Sequence, residues 1–191
     1  MDTDVSTTDR PDDAARTAPP QHLVIMGVAG SGKTTVATLL AQRLGTEYAE
    51  ADQFHPEANI AKMSAGTPLT DDDRWPWLEA IRDWLSAEAD AGRSGVVTCS
   101  ALKRSYRDLL RRAHGHVWFV HLDGSPELLA ERMQHRSGHF MPTSLLPSQL
   151  ATLEPLADDE PGFTLDVAST PEQIVGEILA RTRLSGAPDA D

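Results

Sequence analysis

The stretch Gly27-Val28-Ala29-Gly30-Ser31-Gly32-Lys33-Thr34 constrains this chain more than any other. Its spacing is that of a phosphate-binding P-loop, G-x-x-x-x-G-K-[ST]. Directly before it, Leu23-Val24-Ile25-Met26 is a short apolar run of the kind that forms a buried strand. Directly after it, Val36, Leu39, Leu40 and Leu44 recur at helical spacing. The motif therefore falls on a strand-to-helix turn, where backbone N–H groups and a helix N-terminus face phosphate oxygens. Gly27, Val28, Ala29, Gly30, Ser31, Gly32, Lys33, Thr34 and the adjoining Thr35 are the expected nucleotide-binding residues. Lys33 is expected to reach the β- and γ-phosphates, and the Thr34 hydroxyl to bind Mg²⁺.

A chain of 191 residues can bury one sizeable α/β core and is too short for two large domains. Its net charge of −12 argues against nucleic acid or an anionic membrane as the main partner. The charge is uneven. Residues 101–139 carry seven Lys/Arg against four Asp/Glu, whereas residues 154–191 carry two against nine. A basic middle in an acidic protein points to anions as its ligands. The single cysteine, Cys99, rules out an internal disulfide and fits a reducing compartment. It reads as a small buried hydrophobe. Without a long apolar run or a secretory leader, a cytoplasmic location is expected.

Residues 1–20 are rich in Asp, Thr, Ala and Pro and read as a disordered tail, and residues 185–191 as a flexible one. Between them, over residues 21–184, short apolar runs alternate with helical periodicity, the pattern of a parallel sheet with crossover helices. Strands are expected at residues 23–26, 48–51, 96–99, 117–122 and 163–167. Helices are expected to begin near Lys33, Trp75, Ala101, Pro126, Ser144 and Pro171. Ser125-Pro126 and Thr170-Pro171 each set a capping hydroxyl before a first-turn proline, and Gln173 completes a capping box in the second.

Several side chains carry possible chemistry. Asp52 follows the second strand, at the edge of the sheet where ligands bind; it either accepts a proton from an attacking hydroxyl or caps a loop. The run Asp71-Asp72-Asp73 suits a metal site or helix capping, with capping favoured for Asp71 and Asp72. Lys103 and Arg107 stand four apart and share a helix face, which either grips an anion or is merely solvated. Arg132 and Arg136, again four apart, lead into a Gly- and Pro-marked loop. They are either lid arginines that cover a transferring phosphoryl or basic residues at a helix end. The seven histidines show no metal-ligand spacing, and of them His55 and His139 are the candidates of interest.

Taken together, the P-loop, Asp52-Gln53-Phe54-His55-Pro56, Asn59-Ile60-Ala61-Lys62-Met63, Gly66-Thr67-Pro68-Leu69-Thr70-Asp71-Asp72-Asp73-Arg74, Cys99-Ser100-Ala101-Leu102-Lys103-Arg104, Tyr106-Arg107-Asp108 and Gly138-His139-Phe140-Met141-Pro142 resemble the bacterial-type gluconokinases. The resemblance runs from about Leu23 to Leu184. It implies an adenylate-kinase/shikimate-kinase-like P-loop kinase fold, with a five-stranded parallel sheet flanked by helices and a lid segment. It also implies ATP- and Mg²⁺-dependent phosphorylation of D-gluconate at its 6-hydroxyl, feeding the pentose phosphate pathway, and commonly a homodimer. Lys33, Asp52, Arg132 and Arg136 are then the expected catalytic residues, and His55, Lys62, Arg74, Lys103 and Arg107 the expected sugar-acid ligands. One departure is Glu50-Ala51-Asp52, where the family usually has Asp-Gly-Asp; it leaves the role of Glu50 open. The residues around 167–171 are expected by fold analogy to adjoin the adenine.

Overall fold

A strand without a polar face needs cover on both sides, and β1 (Gln21–Met26) has it at the centre of the sheet. The computed structural model describes residues 18–135 and 145–184. Around β1 lie β2 (Glu47–Glu50), β3 (Gly95–Thr98), β4 (His116–Asp123) and β5 (Gly162–Asp166), all parallel, in the order β2-β3-β1-β4-β5. Alternation along β1 divides the core into two layers. Leu23 and Ile25 pack with Val36, Leu40, Val120, Leu122, Ile174 and Ile178. Val24 and Met26 pack with Leu78, Ile81, Leu85, Val97, Leu110 and Phe119 on the opposite face.

The covering helices are α1 (Lys33–Leu44), α2 (Glu57–Ser64), α3 (Asp71–Asp90), α4 (Arg104–Leu110), α5 (Pro126–Gln134), α6 (Leu146–Thr152) and α7 (Pro171–Thr182). The two marked starts are as expected. Ser125 accepts from Leu128 N–H, and Thr170 and Gln173 form a reciprocal capping box. Other starts differ. α3 begins at Asp71 rather than Trp75, because Thr70 and Asp73 build a capping box there. Asp73 is therefore the capping carboxylate in place of the expected Asp71 and Asp72, and Asp71 is turned to other partners. α4 begins at Arg104 rather than Ala101, since Ala101 has a φ of 45° and Lys103 is extended. α2 was not expected. Its eight residues bury only Asn59 and leave Ile60 and Met63 largely exposed, so no apolar stripe marks it in the sequence.

The left-handed turn at Ala101, costly for a residue with a Cβ, is held by Arg107. Arg107 is fully buried. Its guanidinium donates to both carboxylate oxygens of Glu160 at 2.6 and 2.9 Å, and to the carbonyls of Ala101, Glu154 and Pro155. Burial alone would raise the Glu160 carboxyl, but the Arg107 hydrogen bonds and the Ala157 N–H hold it below the usual range. This corrects the expectation that Arg107 shares an anion-gripping face with Lys103. All its donors are consumed in joining α4 to the loop after α6. An Arg107→Met protein is expected to lose about 3–5 kcal/mol of stability, because Glu160 is left buried and unpaired. At about 2–4 °C per kcal/mol, thermal unfolding then falls by roughly 6–20 °C. Arg107→Lys recovers only part of the loss, lacking the planar fork. A drop below about 2 °C in Arg107→Met would contradict this account.

Candidate active site

Parallel strands bring their C-terminal ends to one edge, and the order β2-β3-β1 sets the segment after β2 and the P-loop after β1 on either side of β3. The P-loop backbone is pressed against its neighbours. A Cβ at Gly27, whose φ is 143°, would stand 2.6 Å from the Leu122 carbonyl oxygen. One at Gly30, with φ 80°, would stand 2.8 Å from both the Leu129 carbonyl oxygen and Met133 Cγ on α5. Only glycine fits either place. Lys33 Nζ donates to the Val28 carbonyl at 3.0 Å, and Ala29 N–H donates to Gln149 Oε1 on α6 at 2.7 Å. Ser31 Oγ is buried and is the one buried side-chain polar atom without a hydrogen-bond partner among the described residues. An orphaned hydroxyl inside a glycine-rich cradle fits a phosphate group. No cluster of three or more metal-type side chains occurs among the described residues. A Mg²⁺ held by Thr34 and phosphate oxygens needs none.

Glu50, at the end of β2, accepts from the Tyr48 and Thr98 hydroxyls. Burial and Glu50 push the Tyr48 phenol well above its ordinary value, with the Thr38 and Thr34 hydroxyls beside it. The departure at Glu50 thus produces a carboxylate tied down between two strands. Asp52 lies in the 3-10 turn Ala51–Phe54 and is exposed. Trp77 Nε1 fixes that turn by donating to the Ala51 carbonyl at 2.7 Å. Cys99 is buried, as expected, and burial pushes its thiol up to about 12. The Ala101 backbone and the Lys33 charge oppose that rise, and the Asp52 charge adds to it.

The remaining expected ligands, Arg107 excepted, gather around the first turn of α3. His55 stacks on Trp77 with ring centroids 4.5 Å apart, and Asn59 Nδ2 contacts its Nδ1 at 3.4 Å. Lys62 pairs with Asp73 at 2.6 Å. Lys62 is the main cause holding the Asp73 carboxyl down at about 2. Lys103 pairs with Asp71 at 2.9 Å, and the Tyr106 hydroxyl also binds Asp71. Arg74 donates to Tyr106 Oη at 3.1 Å and approaches Asp71 to 3.7 Å. Three cations therefore share two aspartates. Arg132 donates to the Val167 carbonyl at 2.6 Å, joining the end of α5 to the loop after β5. Arg136 and the segment 138–142 lie outside the described residues. Gln149 was not anticipated, since it takes its place through Ala29, 120 positions away. Asn59 and Tyr106 stood in the quoted motifs without an assigned role, and the structure pairs them with Asp73 and Asp71.

A family model described as an AAA domain matches residues 23–156. The gluconokinase of Gluconobacter oxydans is 55% identical over 160 residues, covering 84% of this chain and 90% of that one. The crystal structure of a gluconokinase from Sinorhizobium meliloti superposes with a TM-score of 0.77 at 50% identity, over 88% of this chain and 95% of the other. Shikimate kinase from Aquifex aeolicus, 16% identical, superposes with a TM-score of 0.53 over 85% of this chain and 96% of its own, a likeness of fold alone.

Burial lowers the His55 imidazole, with Asp52 raising it and Arg74 lowering it further. Its NMR titration is expected to fall below the ordinary value of about 6.5. Asp52→Asn should lower the midpoint again, and Arg74→Met should raise it. Because the neutral ring is favoured in the fold, its contribution to stability is present above the ordinary value. That contribution is lost as pH falls through the folded one. A midpoint that neither substitution moves would separate His55 from both groups. With the P-loop, the five-stranded parallel sheet and relatives at this identity over most of its length, the chain belongs to the gluconokinase family of P-loop kinases.

Proposed function

We propose that this protein transfers the γ-phosphoryl group of ATP to the 6-hydroxyl of D-gluconate, giving 6-phosphogluconate and ADP. The observation that carries the reading is the gathering of Lys33, Asp52 and the Lys62–Arg74–Lys103 cluster at the C-terminal edge of one sheet. Gly27–Gly32 cradle the phosphates, and the Lys33 ammonium neutralises charge on the β- and γ-phosphate oxygens as the bond to the leaving oxygen breaks. The Thr34 hydroxyl, together with the phosphates, would hold Mg²⁺, which would supply further neutralisation of phosphate charge. Asp52 orients the sugar hydroxyl and accepts its proton as the new P–O bond forms. Arg132 and Arg136 cover the transferring group from the lid side.

The sugar-acid carboxylate faces a protein of net charge −12, so it needs a local cation. Lys103 and Arg74 supply one, because both already hold a carboxylate, that of Asp71. Lys62 and His55 hold the polyol from the α2 side. The family resemblance also brings a homodimer and a cytoplasmic location into this reading. Among the described residues no helix is long and apolar enough to cross a membrane. Activity with gluconate, shikimate, glucose and nucleoside monophosphates, assayed by coupled ADP release, tests the substrate; a preference for any but gluconate rejects it.

Asp52→Asn is expected to lower kcat by about two to four orders of magnitude with ATP affinity nearly unchanged, since the amide cannot take a proton. Collapse of ATP binding instead would assign Asp52 to the nucleotide. With Lys103→Met, kcat/KM for gluconate is expected to fall roughly ten- to a hundredfold, the loss of one charged hydrogen bond. Uncharged gluconamide should be affected far less, so the two substrates become nearly equivalent. A variant that keeps the wild-type preference for gluconate would transfer the carboxylate to another cation.

A further inference from the structure

Two hydrogen bonds meet on a single peptide unit of the P-loop. The Val28 carbonyl accepts from Lys33 Nζ at 3.0 Å, and the N–H of the next residue, Ala29, donates to Gln149 Oε1 at 2.7 Å. Both groups belong to one planar amide, so neither turns without the other. The ammonium expected to meet the phosphates therefore rests on an amide whose far side is gripped by α6, 120 residues along the chain. α6 is seated by Leu146, buried in the same core as Val28 and Met133, with Leu150 packed against it. Gln149 stands beside Leu150 on this short helix, so movement of α6 against the P-loop acts on the bond to Ala29. The helix follows directly from the lid segment implied by the family resemblance.

We propose that Gln149 is a positioning residue for phosphoryl transfer. It holds the Val28–Ala29 amide with its carbonyl toward Lys33, and so conveys the position of α6 to the ammonium. The proposal rests on the phosphoryl-transfer reading above. Gln149 acts through Lys33, not on the phosphates themselves. Its loss should therefore matter only while Lys33 is present, whereas a residue that merely steadies α6 would weaken both backgrounds alike.

The test is a double-mutant cycle with Gln149→Met, which keeps the side-chain length but removes the acceptor, and Lys33→Met. Dissociation constants for a non-hydrolysable ATP analogue are measured by calorimetry on the wild type, both single variants and the double variant. Gln149→Met is expected to weaken binding about three- to tenfold when Lys33 is present, the worth of one neutral hydrogen bond. In the Lys33→Met background the same change should stay within about twofold. Turnover should fall with Gln149→Met while KM for gluconate stays within about twofold, a split that general loosening of the fold would not produce. A Gln149 effect of equal size in both backgrounds, or none beside Lys33, overturns the proposal. If Lys33→Met alone leaves analogue binding unchanged, the phosphate-site reading falls instead. Should Gln149→Met fail to fold, Gln149→Asn, one methylene too short to reach Ala29, goes through the same cycle.

Discussion

The close approach of backbone to backbone at the P-loop is the constraint on which the rest of this structure depends. To turn several N–H groups toward one anion, the chain must pass within contact of the Leu122 and Leu129 carbonyls, leaving no room for a Cβ at Gly27 or Gly30. That pressure makes β4 and α5 the back wall of the phosphate site. It also explains why the central strand is apolar on both faces. A loop this tightly seated needs a rigid platform, and β1 provides one by being buried from His22 to Met26 between helical layers.

An acidic protein that handles an acidic sugar must keep its cations available without leaving them to repel one another. Here Lys62, Arg74 and Lys103 are parked on Asp73 and Asp71, in pairs that are partly exposed to solvent. Such pairs contribute little to stability, so in the proposed reading exchanging an aspartate for a ligand carboxylate costs little. The Arg107–Glu160 pair is the opposite case. With both side chains fully buried, it cannot be traded, and it serves the left-handed turn at Ala101 and the loop after α6. Two basic residues four apart, Lys103 at the cap of α4 and Arg107 inside it, thus take unrelated roles, and burial decides between them.

Side-chain hydrogen bonds link the elements around the phosphate site to more distant parts of the chain. Arg132 ties the end of α5 to the Val167 carbonyl, and Gln149 ties α6 to Ala29. Both helices flank the stretch expected to act as a lid. The core beneath them, shared by Val28, Leu129, Met133 and Leu146, ensures that they press on the P-loop together.

What the sequence by itself determined was whatever depends on short-range chemistry. The P-loop, its flanking strand and helix, the caps at Ser125 and Thr170, the five strands and the parallel order implied by alternating elements all follow from residues within a few positions of one another. The place of Asp52, just after the second strand, was legible for the same reason. What only the tertiary structure decided were the partnerships between distant residues. Arg107 and Glu160 are separated by 53 positions, Ala29 and Gln149 by 120, and Lys103 and Asp71 by 32. Helical spacing predicted one face for Lys103 and Arg107, but Lys103 is the extended residue before α4, and which charge meets water and which is sealed in the core depends on what packs over each. That in turn is set by the loop after α6 folding back onto α4, and no local pattern in the chain encodes it.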